Sequence, residues 1–219
     1  MKLSQGNRLL FIGDSVTDVG RERPVAQGTL FNRLGRGYPH IVSGMVNALH
    51  PELGINVINT GVSGDTARRL AARWQTDVID LHPDWLSVMI GINDVWRQFD
   101  SPCEPEQHVL LDEYESTLDE LFTRTRPLLS GGLVIMAPFY IETNLQDRMR
   151  AEIARYQAAC RRLAEKHHAI FVDTQAAFDR ILQSRHSSFI SWDRVHPNDV
   201  GHTALAMAFL RAMEFDFEA

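Results

Sequence analysis

The sequence predicts an α/β fold: a central parallel sheet of five strands with helices on both faces. Three observations carry this. Apolar runs of strand length occur five times, at residues 8–13, 55–58, 84–90, 133–137 and 169–172. A stretch with helical period separates each run from the next, and alternating strands and helices assemble as parallel βαβ units. No internal repeat or low-complexity segment interrupts the alternation, and 219 residues suit a single domain, 1–219, with a full-sized core.

The first run, Arg8-Leu9-Leu10-Phe11-Ile12-Gly13, ends in Asp14-Ser15-Val16-Thr17, where Gly13 permits a bend and Asp14, Ser15 and Thr17 are all helix N-cap residues. An irregular segment from Arg21 to Pro39 follows, long enough to be functional or interfacial. Ile41, Met45, Val46 and Leu49 mark a helix from about His40 to Leu49, stopped by Pro51. The second strand ends in the turn Asn59-Thr60-Gly61-Val62-Ser63-Gly64-Asp65-Thr66. Leu70, Trp74, Val78 and Leu81 then share one helical face, with Trp74 read as core. The third strand ends in Gly91-Ile92-Asn93-Asp94, followed by a polar loop with Pro102 and Pro105. A long helix is expected to bury Leu110, Tyr114, Leu118, Leu121 and Leu128, and Gly131-Gly132 precede the fourth strand. The loop at Pro138-Phe139-Tyr140 leads to a helix from about Gln146 to His168, the fifth strand, and a short helix through Phe178 and Ile181. A loop, Ser191 to Asn198, precedes a last helix capped by Asn198 or Asp199.

The formal charge of −6 and the lack of a basic cluster give no electrostatic reason to expect a nucleic-acid partner; Arg21, Arg23, Arg33 and Arg36 read as loop or interface charges. No apolar segment is long enough to span a membrane, and the first residues lack the apolar stretch and cleavage site of a signal peptide. Cys103 and Cys160 fit no metal spacing, so free thiols in a reducing cytoplasm are expected.

Ligands of open parallel sheets bind at the carboxyl ends of the strands. The polar turns after strands one, two and three therefore converge on one edge. Acyl transfer needs a nucleophile, a base, a group that orients the base, and donors for the oxyanion. Ser15 suits the nucleophile and one N–H donor, Gly61 a second N–H, and Asn93 a side-chain amide. His196 suits the base, because Asp193 three residues earlier can hold one ring nitrogen and leave the other facing the serine. Each piece alone is weak: a serine after a strand usually caps a helix, and Asp-x-x-His is common. Their joint occurrence in this order is the signal. The other eight histidines read as surface or satisfied residues, with His202 on the last helix.

Gly13-Asp14-Ser15, the Gly61 turn, Gly91-Ile92-Asn93-Asp94 and Asp193-Arg194-Val195-His196-Pro197 resemble the four blocks of the GDSL, or SGNH, hydrolase superfamily. The stretch Gly91 to Asp100 and the Trp192–Pro197 segment narrow the resemblance to the intracellular bacterial acetylxylan esterases of that superfamily. Val16 stands where the leucine of the first block is usual. The resemblance implies a flavodoxin-like three-layer α/β/α sandwich, no metal, no cofactor, and a homo-oligomer, with the 21–38 loop a candidate interface. It implies a Ser15–His196–Asp193 triad and an oxyanion hole of Ser15, Gly61 and Asn93, acting on a small acetylated carbohydrate. Trp96, Arg97, Tyr140 and Trp192 are candidate sugar contacts, since aromatic faces and guanidinium donors suit sugar rings. The alternatives are another activity of the superfamily (carboxylesterase, thioesterase or lysophospholipase) and a non-catalytic carbohydrate-binding module, against which the intact Ser15, Asn93, Asp193 and His196 argue.

Overall fold

The structure, a computed structural model, describes residues 1–28, 31 and 33–218; residues 29, 30 and 32 of the loop read above as a candidate interface lie outside the described residues. Six strands form one sheet: β1 (Arg8–Gly13), β2 (Ala26–Gln27), β3 (Asn56–Asn59), β4 (Trp85–Met89), β5 (Gly132–Met136) and β6 (Ile170–Val172), in the order β2-β3-β1-β4-β5-β6. Five are parallel, as expected. The sixth, β2, pairs antiparallel with β3 at the edge, Ala26 opposite Asn59. Two residues are too few to show a period of two, so nothing local distinguishes β2 from the loop around it.

Side-chain alternation along β1 builds both cores. Leu10 and Ile12 enter one, with Trp74, Leu118, Leu121 and Ile153, and Leu9 and Phe11 the other, with Val42, Val46, Leu205 and Phe209. The first face carries α3 (Ala67–Ala72), α4 (Trp74–Asp77), α6 (Leu111–Thr125) and α7 (Arg148–Lys166). The second carries α2 (Tyr38–Leu49), α8 (Thr174–Leu182) and α9 (Asp199–Ala212). Trp74 is fully buried, its indole N–H donating to Thr125 Oγ1 at 2.8 Å, so the hydrogen bond removes the penalty of burying that donor. Asn198 is the cap of α9, accepting from the N–H groups of Val200 and Gly201.

Three details differ from the periodicity. The helix expected through Leu70 and Leu81 is divided by Arg73 (φ −109°, ψ 6°) into α3 and α4, with a 3-10 turn over Ile79–Leu81. Leu110 and Leu128 fall outside α6, where they no longer follow its buried stripe, and are 59% and 61% exposed. Arg21, read above as a loop or interface charge, is buried within its own chain, donating to the carbonyls of Gly61 (2.6 Å), Glu22 (3.0 Å) and Pro24 (2.6 Å).

Strand order places the site. The chain leaves β1 toward β3 on one side, then crosses to β4 on the other. Such a topological switch point opens a crevice at the carboxyl ends of the strands, here beyond Gly13, Asn59 and Met89.

Candidate active site

The short helix α1 (Ser15–Asp18) begins at the end of β1. Its cap is Asp14, whose carboxylate accepts the Val16 N–H at 2.9 Å. The serine is therefore not the cap, and its N–H has no partner among the described residues. The Ser15 Oγ lies 2.8 Å from His196 Nε2, and His196 Nδ1 lies 2.6 Å from Asp193 Oδ2. An ionised carboxylate only accepts, so Nδ1 carries the proton and Nε2 is free to take one from the hydroxyl.

Asp193 both shapes its loop and orients the imidazole. Its Oδ1 accepts the Val195 N–H (2.9 Å), the His196 N–H (2.8 Å) and the Ser191 hydroxyl (2.8 Å). Burial would raise this carboxyl, but the bonds from His196, Val195 and Ser191 outweigh it and hold it down at about 2. Asp14, beside the nucleophile, goes the other way. Burial raises it to about 7, against the Val16 N–H and the attraction of His196.

Asn93 occupies the first turn of α5 (Ile92–Asp100), and its Nδ2 donates one N–H to the Asp65 carbonyl at 2.9 Å. That bond ties α5 to the turn after β3 and leaves the second N–H of the same amide. Asp94, next to it, accepts the Ala67 N–H at 2.8 Å, a second tie between these segments, and burial raises its carboxyl to about 8.

Gly61 is a correction. Its N–H donates to Asn59 Oδ1 at 2.9 Å, and its carbonyl accepts from Arg21 (2.6 Å) and Arg23 (2.9 Å). A Cβ there would come within 2.6 Å of the Asp18 N, so the glycine allows close backbone packing, and its N–H is not available for an oxyanion. Three residues on, Gly64 has φ +82°, and its N–H has no partner among the described residues. It immediately precedes Asp65, whose carbonyl holds Asn93. Two sequence signals were available: a second glycine in the same turn, and Asn59 two residues before Gly61, whose side chain can take that N–H locally.

The candidate sugar contacts separate. Trp96 packs edge-on against His196, ring centroids 5.8 Å apart. Arg97 lies over the Trp96 ring at 4.8 Å and pairs with Asp100. Both are on α5 rather than in a loop, because the helix starts directly at Ile92. A cleft of about 270 Å³ beside them is lined by residues including Gly64, Thr66, Arg69 and Arg97, so it joins the glycine turn to α5. Trp192 is 87% exposed in the triad loop. Tyr140 is only 7% exposed and lies under Arg194, 5.5 Å from its ring, so it offers no open face to a sugar.

Comparison with known proteins gives the family. Residues 11–204 match the GDSL-like lipase/acylhydrolase family. An acetylxylan esterase from Geobacillus stearothermophilus is 52% identical over 217 residues, spanning 99% of this chain and 98% of that one. The crystal structure of Axe2, an acetylxylan esterase from the same organism, superposes with a TM-score of 0.97 at 52% identity, over 99% of this chain and 98% of that chain. LAE5, an alpha/beta hydrolase enzyme from the metagenome of Lake Arreo, Spain, does so with a TM-score of 0.96 at 46% identity, over 100% of both chains. With a serine–imidazole–carboxylate relay at the switch point of its sheet and this similarity along its whole length, the chain belongs to the GDSL-like lipase/acylhydrolase family.

Proposed function

We propose that the protein is a serine esterase that removes acetyl groups from acetylated xylo-oligosaccharides through an acyl-serine intermediate, with residues 1–219 acting as one catalytic domain. The observation that carries this reading is the relay from Ser15 Oγ to His196 (2.8 Å) and on to Asp193 (2.6 Å). The acetylxylan esterase named among its relatives supports the substrate.

In this reading His196 Nε2 takes the Ser15 proton as Oγ bonds to the acetyl carbonyl carbon, and the carbonyl electron pair moves onto oxygen. That oxyanion sits against the N–H groups of Ser15 and Gly64 and the free N–H of Asn93. Each such donor is typically worth ~3 kcal/mol in the transition state. The tetrahedral intermediate collapses as the sugar oxygen leaves with the proton from His196. Water then gives a proton to His196 and attacks the acetyl-serine, releasing acetate and restoring the Ser15 hydroxyl. Asp193 stays ionised throughout and stabilises the imidazolium. Trp96, Arg97 and Trp192 border the sugar, while Tyr140 belongs to the core. We further read the protein as a cytoplasmic homo-oligomer that meets imported fragments rather than polymer. The free thiols of Cys103 and Cys160 support the compartment, and the exposed rings of Phe31 (88%) and Trp192 (87%) support a covered surface.

The test is acetate release from acetylated xylo-oligosaccharides, beside long-chain acyl esters and acyl thioesters, by wild type and Ser15→Ala. Rapid deacetylation of the sugar by wild type alone is expected. A preference for long acyl chains or thioesters would replace the substrate, and equal activity in Ser15→Ala would remove the mechanism.

A further inference from the structure

We propose that Arg73 is a positioning residue for the reaction, a single guanidinium that sets the nucleophile turn and the oxyanion turn relative to each other. This rests on the reading of Ser15 as nucleophile and of Gly64 and Asn93 as oxyanion donors. Arg73 occupies the break between α3 and α4, with a side chain only 17% exposed. Its NH2 donates to the carbonyl of Gly13, two residues before Ser15, at 3.2 Å. Its NH1 donates to the carbonyl of Thr60 (2.6 Å), in the turn that continues to Gly64, and to Asp77 Oδ2 (2.7 Å). Its Nε donates to Asp65 Oδ2 at 2.7 Å.

Asp65 is the junction. Its carboxylate is held by Arg73, its carbonyl accepts the Asn93 amide at 2.9 Å, and it follows Gly64 directly. All three oxyanion donors are thus within two residues of, or one hydrogen bond from, a group that Arg73 holds. The donors stabilise a transition state only if they point at one oxygen, and a misplacement of about 1 Å can cost on the order of 100-fold in rate. A planar fork is required, because no single ammonium can reach acceptors spread over three segments. Neither the triad nor the sugar contacts involve Arg73, so substrate binding gives no other reason for these bonds.

Arg73→Lys keeps the charge and removes the fork. The measurement is kcat per reactive serine, counted by labelling Ser15 with an alkyl fluorophosphonate, together with KM on an acetylated xylo-oligosaccharide. We expect kcat per labelled site to fall about 10- to 100-fold with KM changed less than about threefold, the pattern of a lost transition-state interaction. Adding Asn93→Ala to Arg73→Lys should cost at least about fivefold less than it costs in wild type, since both act on one oxyanion. A merely structural arginine would lower the number of labelled sites and leave kcat per site and the Asn93→Ala effect unchanged, and that result overturns the proposal. If Arg73→Lys does not fold, Asp65→Asn decides: it weakens the same link without touching the arginine and should lower kcat per site in the same way, and wild-type kcat there overturns the proposal. Failure of wild-type Ser15 to be labelled would instead refute the reading of the site itself.

Discussion

Replacing Asp14 by Asn should remove a pH-dependent loss of stability from the wild-type protein. Asp14 is 2% exposed beneath the nucleophile, and burial raises its carboxyl from 3.8 to about 7. The Val16 N–H and the neighbouring His196 moderate that rise, and Asp65 adds to it. Because the folded value lies above the unfolded one, the unfolded chain gives up this proton first. Each further pH unit then favours unfolding by about 1.4 kcal/mol, until the folded protein ionises too. Between pH 5 and the folded value of about 7 the loss amounts to roughly 2.7 kcal/mol, and above that it levels off. Asparagine keeps an oxygen for the Val16 N–H and does not titrate. Urea unfolding of both proteins at pH 5, 6, 7 and 8 should therefore show the difference in unfolding free energy moving toward the variant by roughly 2.7 kcal/mol, then flattening. Any constant offset from the new amide cancels in that comparison. Parallel pH profiles for the two proteins would refute the argument.

The remaining expectations concern the site. On the proposed mechanism, in which Asn93 is an oxyanion donor, Asn93→Ala should lower kcat by roughly 10²- to 10³-fold with little change in KM, read from steady-state kinetics. Asp193→Asn should lower kcat by on the order of 10³- to 10⁴-fold, since an amide can present its N–H to the ring and leave the wrong nitrogen facing Ser15. With Asp193 held down at about 2, its carboxylate stays ionised from pH 8 to pH 4, so the Asp193–His196 link should persist across that range and any acid loss of wild-type kcat/KM there should not follow the Asp193 carboxyl, read from a pH–rate profile. Gly61→Ala and Gly64→Ala should separate packing from chemistry in thermal melts and kcat measured together. The first forces a Cβ to 2.6 Å from the Asp18 N and should destabilise by about 1–3 kcal/mol. The second meets only the flexible end of Arg69 at 3.9 Å but strains a φ of +82°, costing about 1 kcal/mol in stability, and on the proposed mechanism it moves an oxyanion N–H and lowers kcat.

The Asp193–His196 part of the candidate site was legible in the sequence because it is local. Asp193 and His196 share one loop, and three residues are enough for a carboxylate to reach a ring nitrogen. Ser15 and Asn93 each follow an apolar strand, and the strand–helix alternation brings those strand ends together. The eventual partner of Ser15 lies 181 residues away, so only the topology argument could join them. Gly61 failed for a different reason. A turn with two glycines offers two candidate N–H groups, and the choice depends on Asn59, whose side chain satisfies one and leaves the other free. Tyr140 failed similarly, because Arg194 covers a ring that its loop position had suggested was open.

The sequence by itself determined the α/β class and the five parallel strands, and it offered the cap candidates and the residue types of a candidate triad, since these follow from hydrophobic period, turn chemistry and short spacing. The tertiary structure decided which backbone donors remain free, which aromatic faces are open, and that Arg73 joins Gly13, Thr60, Asp65 and Asp77. The Arg73 bonds to Gly13 and Thr60 are long-range, whereas the Asn59–Gly61 bond is local and the sequence already held its partner. A polar group is available for chemistry only after every closer partner has been counted, and that count exists only once the chain has folded.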